Sequence, residues 1–261
     1  MVAEPTSMLD TPVLDTRLDG LTVLVTGSGS GIGRATAQIV GAAGATVIAA
    51  DVKGHSDTAA GITGAGGRAE AHDLDVTSAL DWQSTVDSVL STHGAIDGLA
   101  NVAGIVSDTD DLLTQTEEGW DRLVAVDLKG PWLGMKSCIG PMLQAGGGKI
   151  VNVASTAALI GMPNVVAYSA AKGGVVAMSR QVAVEYAARG IRVNVICPGV
   201  TQTPMLGDIT EELLAAVTAA TPSGRLGTPA DVGRLIAFLL GPSGDFITGQ
   251  TIAVDGGWTA Q

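Results

Sequence analysis

Short apolar runs alternate with longer amphipathic runs along the chain. The short runs predict strands at 21–26, 46–50, 68–72, 96–101, 149–154, 192–196 and 250–254. Between them, the spacing of apolar and polar positions predicts helices near 31–43, 79–93, 118–145, 165–189 and 229–241. This alternation predicts an α/β fold, in which a parallel sheet of about seven strands carries helices on both faces.

The ends of the predicted strands carry most of the residues that suggest chemistry. Ligands of open parallel sheets bind in the crevice outside the carboxyl ends of the strands, near the point where the strand order reverses. We therefore expect one crevice to collect the strand-end residues Gly27–Gly33, Asp51, Asp75, Asn101, Ser155 and Pro198.

Tyr168 and Lys172 lie four positions apart in a predicted helix, and Ser155 lies thirteen positions before Tyr168. Residues four apart share one helix face, so the ammonium group of Lys172 would lie beside the phenol of Tyr168. A nearby cation favours the phenolate form, which makes the tyrosine a general acid and base. Ser155 closes a strand, where its hydroxyl would bond the same substrate oxygen. Taken alone, a tyrosine and a lysine at this spacing are a weak signal, and a solvated helix face is the simpler interpretation.

A glycine-rich turn, Gly27–Gly33, follows the first predicted strand and precedes an amphipathic helix. Glycines let a backbone approach a ligand closely, and the helix N-terminus offers N–H groups to a pyrophosphate. In a chain with 36 glycines, a flexible loop is the alternative interpretation. Asp51 ends the second strand, where a carboxylate would bind the ribose hydroxyls of NAD and repel the 2′-phosphate of NADP. Because Lys53 is the only nearby cation in the sequence, the pattern favours NAD as the cofactor.

Seven motifs in order give the chain a resemblance to the short-chain dehydrogenase/reductase family, over a match from about Leu18 to Trp258. They are Thr26–Gly33, Asp75-Val76, Asn101–Gly104, Ser155, Tyr168 with Lys172, Pro198–Thr203 and Val254–Gly257. The resemblance implies a Rossmann-type, doubly wound sheet in a single catalytic domain, residues 18–261. Within it, 18–150 would bind the cofactor and 151–261 would carry the catalytic and substrate-binding residues. Residues 1–17 are then expected to be a flexible N-terminal extension.

The resemblance also implies roles for single residues. Ser155, Tyr168 and Lys172 would form the catalytic set. The residues implied to bind the cofactor are Gly27, Ser28, Ser30, Gly31, Ile32, Gly33, Asp51, Asp75, Val76, Asn101, Ala103, Gly104, Tyr168, Lys172, Pro198, Gly199, Thr201 and Thr203. The residues implied to line the substrate pocket are Val106, Ser155, Thr156 and Met205.

The chain departs from the family pattern at Asp127, where the family usually has an asparagine that completes a catalytic tetrad. In the family that asparagine helps to hold a water that links the lysine to solvent. An aspartate could still hold the water, and its charge would favour protonated Lys172. A weakened proton relay or an altered pH optimum is the competing interpretation. We expect an active enzyme, because the three residues that contact the substrate are intact.

Composition narrows the possible partners and location. A net charge of −12 disfavours binding to nucleic acid and to anionic membranes. Cys138 and Cys197 lie in apolar contexts and predict buried thiols, and the three histidines show no ligand spacing, so no metal site is expected. The first twenty residues are polar and acidic, unlike a signal peptide, and no run has the length and apolarity of a membrane span. We therefore expect a cytoplasmic enzyme.

Several polar or aromatic residues have a structural interpretation that competes with a functional one. Asn152 is expected to satisfy neighbouring backbone groups, whereas Asn101 matches a family motif and is expected at the cofactor site. The four tryptophans are expected to pack rather than to hold substrate. The charged segment 107–111 is expected to be a solvated loop.

Three functions remain open. The first is an NAD-dependent dehydrogenase that interconverts a small apolar secondary alcohol and a ketone. The second is an NADPH-dependent 3-oxoacyl-(acyl-carrier-protein) reductase; Asp51 disfavours it, and so do the absence of the docking arginines of relatives, at Leu133 and Val184 here, and the charge of −12. The third is a non-catalytic NAD-binding sensor, for which Ser155, Tyr168 and Lys172 would be unnecessary.

The sequence also predicts that copies of the chain associate into an oligomer. The C-terminal run ends in an apolar strand and Trp258, at a position where a monomer would fray. Relatives bury this tail against a twofold mate and pair two long helices across a second axis, and the corresponding helices here, 118–145 and 165–189, are apolar over more than one face. We expect a homotetramer, with a dimer through the helical interface as the alternative.

Overall fold

The centre of the molecule is a parallel sheet. A computed structural model describes residues 15–107, 110–207 and 210–261. The strands within these ranges are β1 (Thr22–Thr26), β2 (Thr46–Asp51), β3 (Arg68–Asp73), β4 (Gly98–Asn101), β5 (Gly148–Val153), β6 (Ile191–Pro198) and β7 (Thr251–Val254). All pair in parallel, in the order β3-β2-β1-β4-β5-β6-β7. This is the Rossmann-type sheet expected from the sequence, and its order reverses between β1 and β4.

Helices cover both faces of the sheet. In the described ranges they are α1 (Gly31–Ala42), α2 (His55–Gly64), α3 (Ala79–His93), α4 (Glu117–Val124), α5 (Gly130–Gln144), α6 (Val166–Tyr186), α7 (Glu211–Ala220) and α8 (Pro229–Leu240). No helix in the described part of the chain is long and apolar enough to cross a membrane.

The central strands bury both of their faces, which explains their continuous apolar sequence, whereas the edge strands β3 and β7 are partly exposed. Along β1, Val23 and Val25 belong to a buried cluster that includes residues of α1 and α8. Leu24 lies on the opposite face, in a second cluster with Trp82 of α3. Because successive side chains of a strand alternate between faces, a strand that is covered on both sides needs apolar residues at every position.

The predicted helix 118–145 is interrupted. It divides into α4 and α5 around a π-helical segment, Ala125–Lys129, which contains Asp127. A π turn inserts an extra residue into the helical ladder and is common at functional sites. The helix α2 was not predicted, because two glycines and few apolar residues hide its pattern, and two of its four buried residues, His55 and Thr58, are polar.

The N-terminal end of the described chain contacts the domain. The backbone N–H of Asp15 donates to the hydroxyl of Ser243 at 3.0 Å, and that hydroxyl donates to the Asp15 carbonyl at 2.9 Å. Leu18 is almost fully buried. The other residues of the expected N-terminal extension, 1–14, lie outside the described residues.

Candidate active site

The turns that follow β1, β2 and β4 surround a cleft of about 660 Å³. It lies where the strand order reverses, the position at which open parallel sheets bind ligands. The predicted site residues that line it are Gly27, Ser30, Gly31, Ile32, Gly33, Asp51, Asp75, Val76, Ala103, Gly104, Thr203 and Met205. The cleft is therefore built largely from the motifs that the sequence suggested.

The glycine turn is packed so tightly that side chains are excluded. A Cβ atom on Gly33 would lie 2.0 Å from the carbonyl oxygen of Gly27, and one on Gly27, whose φ is +68°, would lie 2.7 Å from the Cα of Ala103. The helix α1 begins directly after the turn, and its N-cap residue Ser30 makes no side-chain capping bond. The first N–H groups of α1 thus lie at the cleft, where they suit a pyrophosphate.

Asp51 is fixed at the end of β2 by backbone donors. Its Oδ2 accepts from the N–H of Gly29 at 2.9 Å, and its Oδ1 accepts from the N–H of Val52 at 2.7 Å. The carboxylate therefore lies between the glycine turn and the loop after β2. Two cations flank this region: Lys53 lines the cleft, and the guanidinium of Arg34 donates to the carbonyl of Gly29.

The residues predicted to be catalytic come from two elements. Ser155 follows β5, and its hydroxyl oxygen accepts from the N–H of Ala157 at 3.2 Å. Tyr168 and Lys172 lie on α6, with the ammonium nitrogen of Lys172 5.6 Å from the centroid of the Tyr168 ring. That ammonium also donates to the carbonyl of Val153 at 3.1 Å, which ties α6 to the end of β5. The lysine thus lies beside the tyrosine, as the four-residue spacing requires.

Asp127 forms a buried ion pair with Lys172, at 3.1 Å between Oδ1 and Nζ. The same Oδ1 accepts from the N–H of Ile105 at 3.2 Å. Burial raises the pKa of the Asp127 carboxyl, and the opposing effects of Lys172 and Ile105 offset only part of this rise. Burial alone would lower the pKa of Lys172, but the charges of Asp127 and Tyr168 outweigh it, and the net shift is upward.

Gly104 joins the cleft to this ion pair. It lines the cleft, and a Cβ atom at its position would lie 2.7 Å from Oδ1 of Asp127 and 3.3 Å from Nζ of Lys172. The absence of a side chain therefore lets the cleft backbone pass directly over the buried pair.

The expectation of a solvated loop at 107–111 is wrong for Asp110, which is only 2% exposed. Its carboxylate accepts from the N–H groups of Ala167 and Tyr168 at the start of α6. Sequence pattern gave no sign of this, because an aspartate in an acidic run is usually solvated and its partners are 57 and 58 positions away. Residues 108 and 109 lie outside the described residues.

Two residues expected at the cofactor site have their side chains elsewhere. The hydroxyl of Ser28 is buried and donates to the carbonyl of Ala50 at 3.2 Å, which ties the glycine turn to β2. Asn101 is buried and donates to the side-chain oxygen of Asn152 at 2.8 Å, and Asn152 donates to Ser179 at 2.8 Å. These polar groups satisfy one another within the core instead of lining the cleft.

The segment after β6 crosses from the sheet to the cleft. Pro198 ends β6, and the N–H of Gly199 donates to the carbonyl of Val254 at 3.0 Å. Thr201 is buried, and its hydroxyl donates to the carbonyl of Gly199 at 3.0 Å. Pro198, Gly199 and Thr201 therefore anchor the start of this segment to the sheet. Thr203 and Met205, which follow them in the chain, line the cleft.

A second depression, of about 520 Å³, adjoins the residues predicted to be catalytic. One wall is formed by residues 157–162, which follow Ser155 and Thr156 in the chain. The other wall is formed by the start of α6, where Val166 and Ser169 flank Tyr168 in the sequence. Its apolar lining residues are Leu112, Ala157, Ala158, Leu159, Ile160, Met162, Val165 and Val166. Of the residues expected to contact substrate, Thr156 is buried and Val106 is 46% exposed.

Other cleft residues were not predicted from the sequence. Lys53, Ile105, Arg122 and Val126 also line the cleft. Arg122 lies on α4 and Val126 in the π segment after it, and no sequence motif marks either of them. Among the described residues, no group of three or more acidic, histidine or cysteine side chains could hold a metal ion. Cys138 and Cys197 are buried free thiols, as expected.

Comparison with known proteins gives the family. The family model described as "Enoyl-(Acyl carrier protein) reductase" matches residues 27–259. Together with the relatives below, this match shows that the chain belongs to the short-chain dehydrogenase/reductase family and is an oxidoreductase.

Similar proteins cover nearly the whole chain. The chain is 40% identical over 260 residues to 2-(S)-hydroxypropyl-CoM dehydrogenase 3 of Xanthobacter autotrophicus, covering 95% of this chain and 100% of that protein. It is 37% identical over 243 residues to the 3-oxoacyl-[acyl-carrier-protein] reductase of Thermotoga maritima, covering 92% and 98%. A crystal structure described as a putative NAD(P) dependent gluconate 5-dehydrogenase from Beutenbergia cavernae, with bound NADP at low occupancy, is similar with a TM-score of 0.89 at 35% identity, covering 95% and 100%.

Proposed function

We propose that the protein interconverts a small apolar secondary alcohol and a ketone with NAD(H). The observation that carries this proposal is the arrangement at α6, where buried Lys172 lies beside Tyr168 and directly behind the cleft backbone at Gly104. A binding module would have no need of a buried cation beside a tyrosine, because burying a charge costs free energy. This argues against the non-catalytic sensor.

Each catalytic residue then has a chemical task. Lys172 stabilises the phenolate of Tyr168, and that phenolate accepts the hydroxyl proton of the alcohol. Ser155 donates a hydrogen bond to the reacting oxygen, which orients the alcohol and, in the reverse direction, polarises the ketone. Asp127 holds the ammonium of Lys172 in place. A bound nicotinamide supplies hydride exchange with the carbinol carbon, and the protein supplies placement and proton transfer.

The cleft suits a dinucleotide. The tight packing of Gly27 and Gly33 leaves a turn without side chains, and α1 offers N–H groups to its phosphates. Asp75 and Val76 would flank the adenine, and Asp51 would bind the ribose hydroxyls. NAD is favoured over NADP because Asp51 repels a 2′-phosphate, although Arg34 and Lys53 lie close to it.

An apolar substrate fits the second depression. Its walls adjoin Ser155 and Tyr168, and most of its lining is aliphatic. Burial of apolar substrate surface against such walls favours binding by roughly 25 cal/mol per Å². Thr156 and Met205 contribute at the edges of the reacting centre, and Val106 is exposed close to the cleft residue Ile105.

Reduction of an acyl-carrier thioester is the second candidate, supported by the relative from Thermotoga maritima. Two features disfavour it. Asp51 would repel the 2′-phosphate of NADPH. The chain also carries a net charge of −12, which repels an acidic carrier protein.

We also propose a homotetramer. Large apolar side chains are exposed on the helices expected to pair, namely Trp120 on α4, Trp132 on α5 and Val184 on α6. Phe246, before β7, is fully exposed, on the side where the C-terminal strand would meet a second mate. Exposed apolar groups of this size commonly mark protein interfaces. The cytoplasmic location stays a prediction from the sequence.

The test of the proposed function is the variant Tyr168→Phe, with Tyr186→Phe at the other end of α6 as the matched control. Loss of the phenol should lower kcat for alcohol oxidation by about 100-fold or more, because general acid–base catalysis contributes on that order. NAD binding, measured by fluorescence titration, should change little. Wild-type turnover in Tyr168→Phe on a panel of secondary alcohols, ketones and acyl thioesters would refute the mechanism.

A further inference from the structure

The first turn of α6 is held by a residue from a distant part of the chain. Oδ1 of Asp110 accepts from the N–H of Ala167 at 2.8 Å, and its Oδ2 accepts from the N–H of Tyr168 at 3.0 Å. The backbone carbonyl of Asp110 accepts from the N–H of Val166 at 3.0 Å. Three successive backbone N–H groups of α6 therefore donate to Asp110.

The helix α6 depends on this external cap. Its own N-cap residue, Val165, has no side-chain capping bond and cannot provide one. The first N–H groups of any helix lack partners within the helix, and leaving buried ones unsatisfied costs free energy. A carboxylate is the best partner here, because its charge also complements the positive end of the helix dipole.

Asp110 also connects α6 to the segment before α4. The side-chain nitrogen of Gln115 donates to Oδ1 of Asp110 at 2.9 Å. Thr116 follows Gln115 and caps α4, and the helix continues into the π segment that holds Asp127. One buried carboxylate thus joins the element that carries Tyr168 and Lys172 to the element that carries the partner of Lys172.

We propose that Asp110 is a positioning residue for the catalytic tyrosine, fixing the first turn of α6 so that Tyr168 keeps its place relative to Ser155 and Lys172. This role rests on the proposed function of Tyr168. Asp110 bonds the backbone of Tyr168 and leaves the phenol free for the substrate. Asp110 lines the second depression and not the cofactor cleft, and both of its carboxylate oxygens accept from the backbone of α6.

The test compares Asp110→Asn with Asp87→Asn. Asp87 lies on α3, is exposed and accepts from the side-chain nitrogen of Gln83 at 2.8 Å, so it is a control carboxylate outside both the cleft and the second depression. Asp110→Asn keeps the size of the side chain but loses the charge and one acceptor. We expect kcat to fall about 10- to 100-fold, because small displacements of a catalytic group have effects of that order. The KM for NAD should stay within twofold, and Asp87→Asn should match the wild type.

Two further readouts separate positioning from general damage. Hydrogen exchange should show faster exchange at the amides of Ala167 and Tyr168 in Asp110→Asn than in Asp87→Asn, with no change at β1. In the background of Tyr168→Phe, Asp110→Asn should lower the residual rate by less than threefold, since no phenol remains to be placed.

Failure of this proposal differs from failure of the proposed function. Wild-type kcat in Asp110→Asn, or an equal fold loss in both backgrounds, would overturn the positioning role. Full activity of Tyr168→Phe would instead overturn the catalytic assignment. The exchange rates at the start of α6 report on the cap in either case: unchanged protection there would also overturn the proposal.

Discussion

At the scale of single residues, the most unusual feature is the buried carboxylate beside Lys172. Asp127 and Lys172 are both almost fully buried and 3.1 Å apart. The charge of Asp127 helps to raise the pKa of Lys172, so the ammonium persists to higher pH than it would beside a neutral group. A neutral amide at position 127 removes that support.

The variant Asp127→Asn should therefore move the alkaline limb of the pH profile to lower pH. Lys172 would lose its proton at a lower pH, and the phenolate of Tyr168 would lose its neighbouring cation. Profiles of kcat/KM for alcohol oxidation, measured between pH 7 and 11 for both proteins, check the direction. An alkaline limb that is unmoved, or that moves to higher pH, would show that Asp127 does not support the ammonium.

Cofactor choice also belongs to the residue scale. Asp51→Asn keeps an acceptor for the N–H of Gly29 but removes the charge that repels a 2′-phosphate. We expect the ratio of kcat/KM for NAD to that for NADP to fall at least tenfold, which corresponds to about 1.4 kcal/mol. Asp57→Asn, an exposed carboxylate of α2 outside the cleft, is the control and should leave the ratio unchanged.

Single residues were predictable from the sequence where the motif and the local element agree. To predict that Tyr168 and Lys172 lie side by side, it was enough to recognise a helix and a spacing of four residues. Asp110 was missed because its cap spans two distant segments, and only the folded chain brings them together. Asn101 matched a motif, but the buried amide of Asn152 binds it within the core. The spacing of residues in the sequence predicts local geometry, but it does not predict partners that are distant in the chain.

At the scale of elements, the glycine turn and α1 act as one unit. Gly33 leaves no room for a Cβ, which would lie 2.0 Å from the carbonyl oxygen of Gly27. Gly33→Ala must therefore open the turn, and we expect the thermal shift produced by NAD to disappear. The control is Gly61→Ala in α2, where nothing lies within 4 Å of the added Cβ. It should keep the thermal shift and raise the free energy of unfolding by about 0.5–1 kcal/mol.

That prediction fails if Gly33→Ala retains the NAD-dependent shift of the wild type in differential scanning fluorimetry. A loss of the shift in both variants would point to general destabilisation instead of a blocked turn. Circular dichroism of each variant without cofactor establishes that the α/β fold is kept, which makes the comparison one of binding.

The sequence predicted whether a segment is a helix or a strand more reliably than it predicted where a helix is interrupted. Strong apolar periodicity placed α3 and α8 closely, and short apolar runs placed the central strands, whereas the edge strand β3 alternates apolar and polar residues. The predicted helix 118–145 hid a break, because the π segment at Ala125–Lys129 preserves an apolar pattern while changing the number of residues per turn. Hydropathy reports which side is buried and says little about the local winding.

At the scale of the whole molecule, the fold follows from the central strands being apolar on both faces. Such strands need helices on each side, and the resulting parallel order collects the strand ends in one cleft. The large apolar groups that remain exposed include Trp120, Trp132 and Val184, on α4, α5 and α6. The helix α6 also carries Tyr168 and Lys172, and the π-helical segment between α4 and α5 carries Asp127, so a mate packed on these helices would brace the residues predicted to be catalytic.

Assembly is therefore expected to respond to a charge on this helical surface. Val184 of α6 is 76% exposed, and Val184→Arg would place a cation in the proposed interface. Light scattering at micromolar concentration should give four times 26.1 kDa for the wild type and a smaller mass for the variant. Leu80→Arg is the control, since Leu80 is 83% exposed on α3, which is not one of the helices expected to pair, and should leave the mass unchanged. A wild-type mass near that of a single chain would exclude both the tetramer and the dimer. If Val184→Arg lowers both the mass and kcat, the result would support the bracing of α6 by its mate.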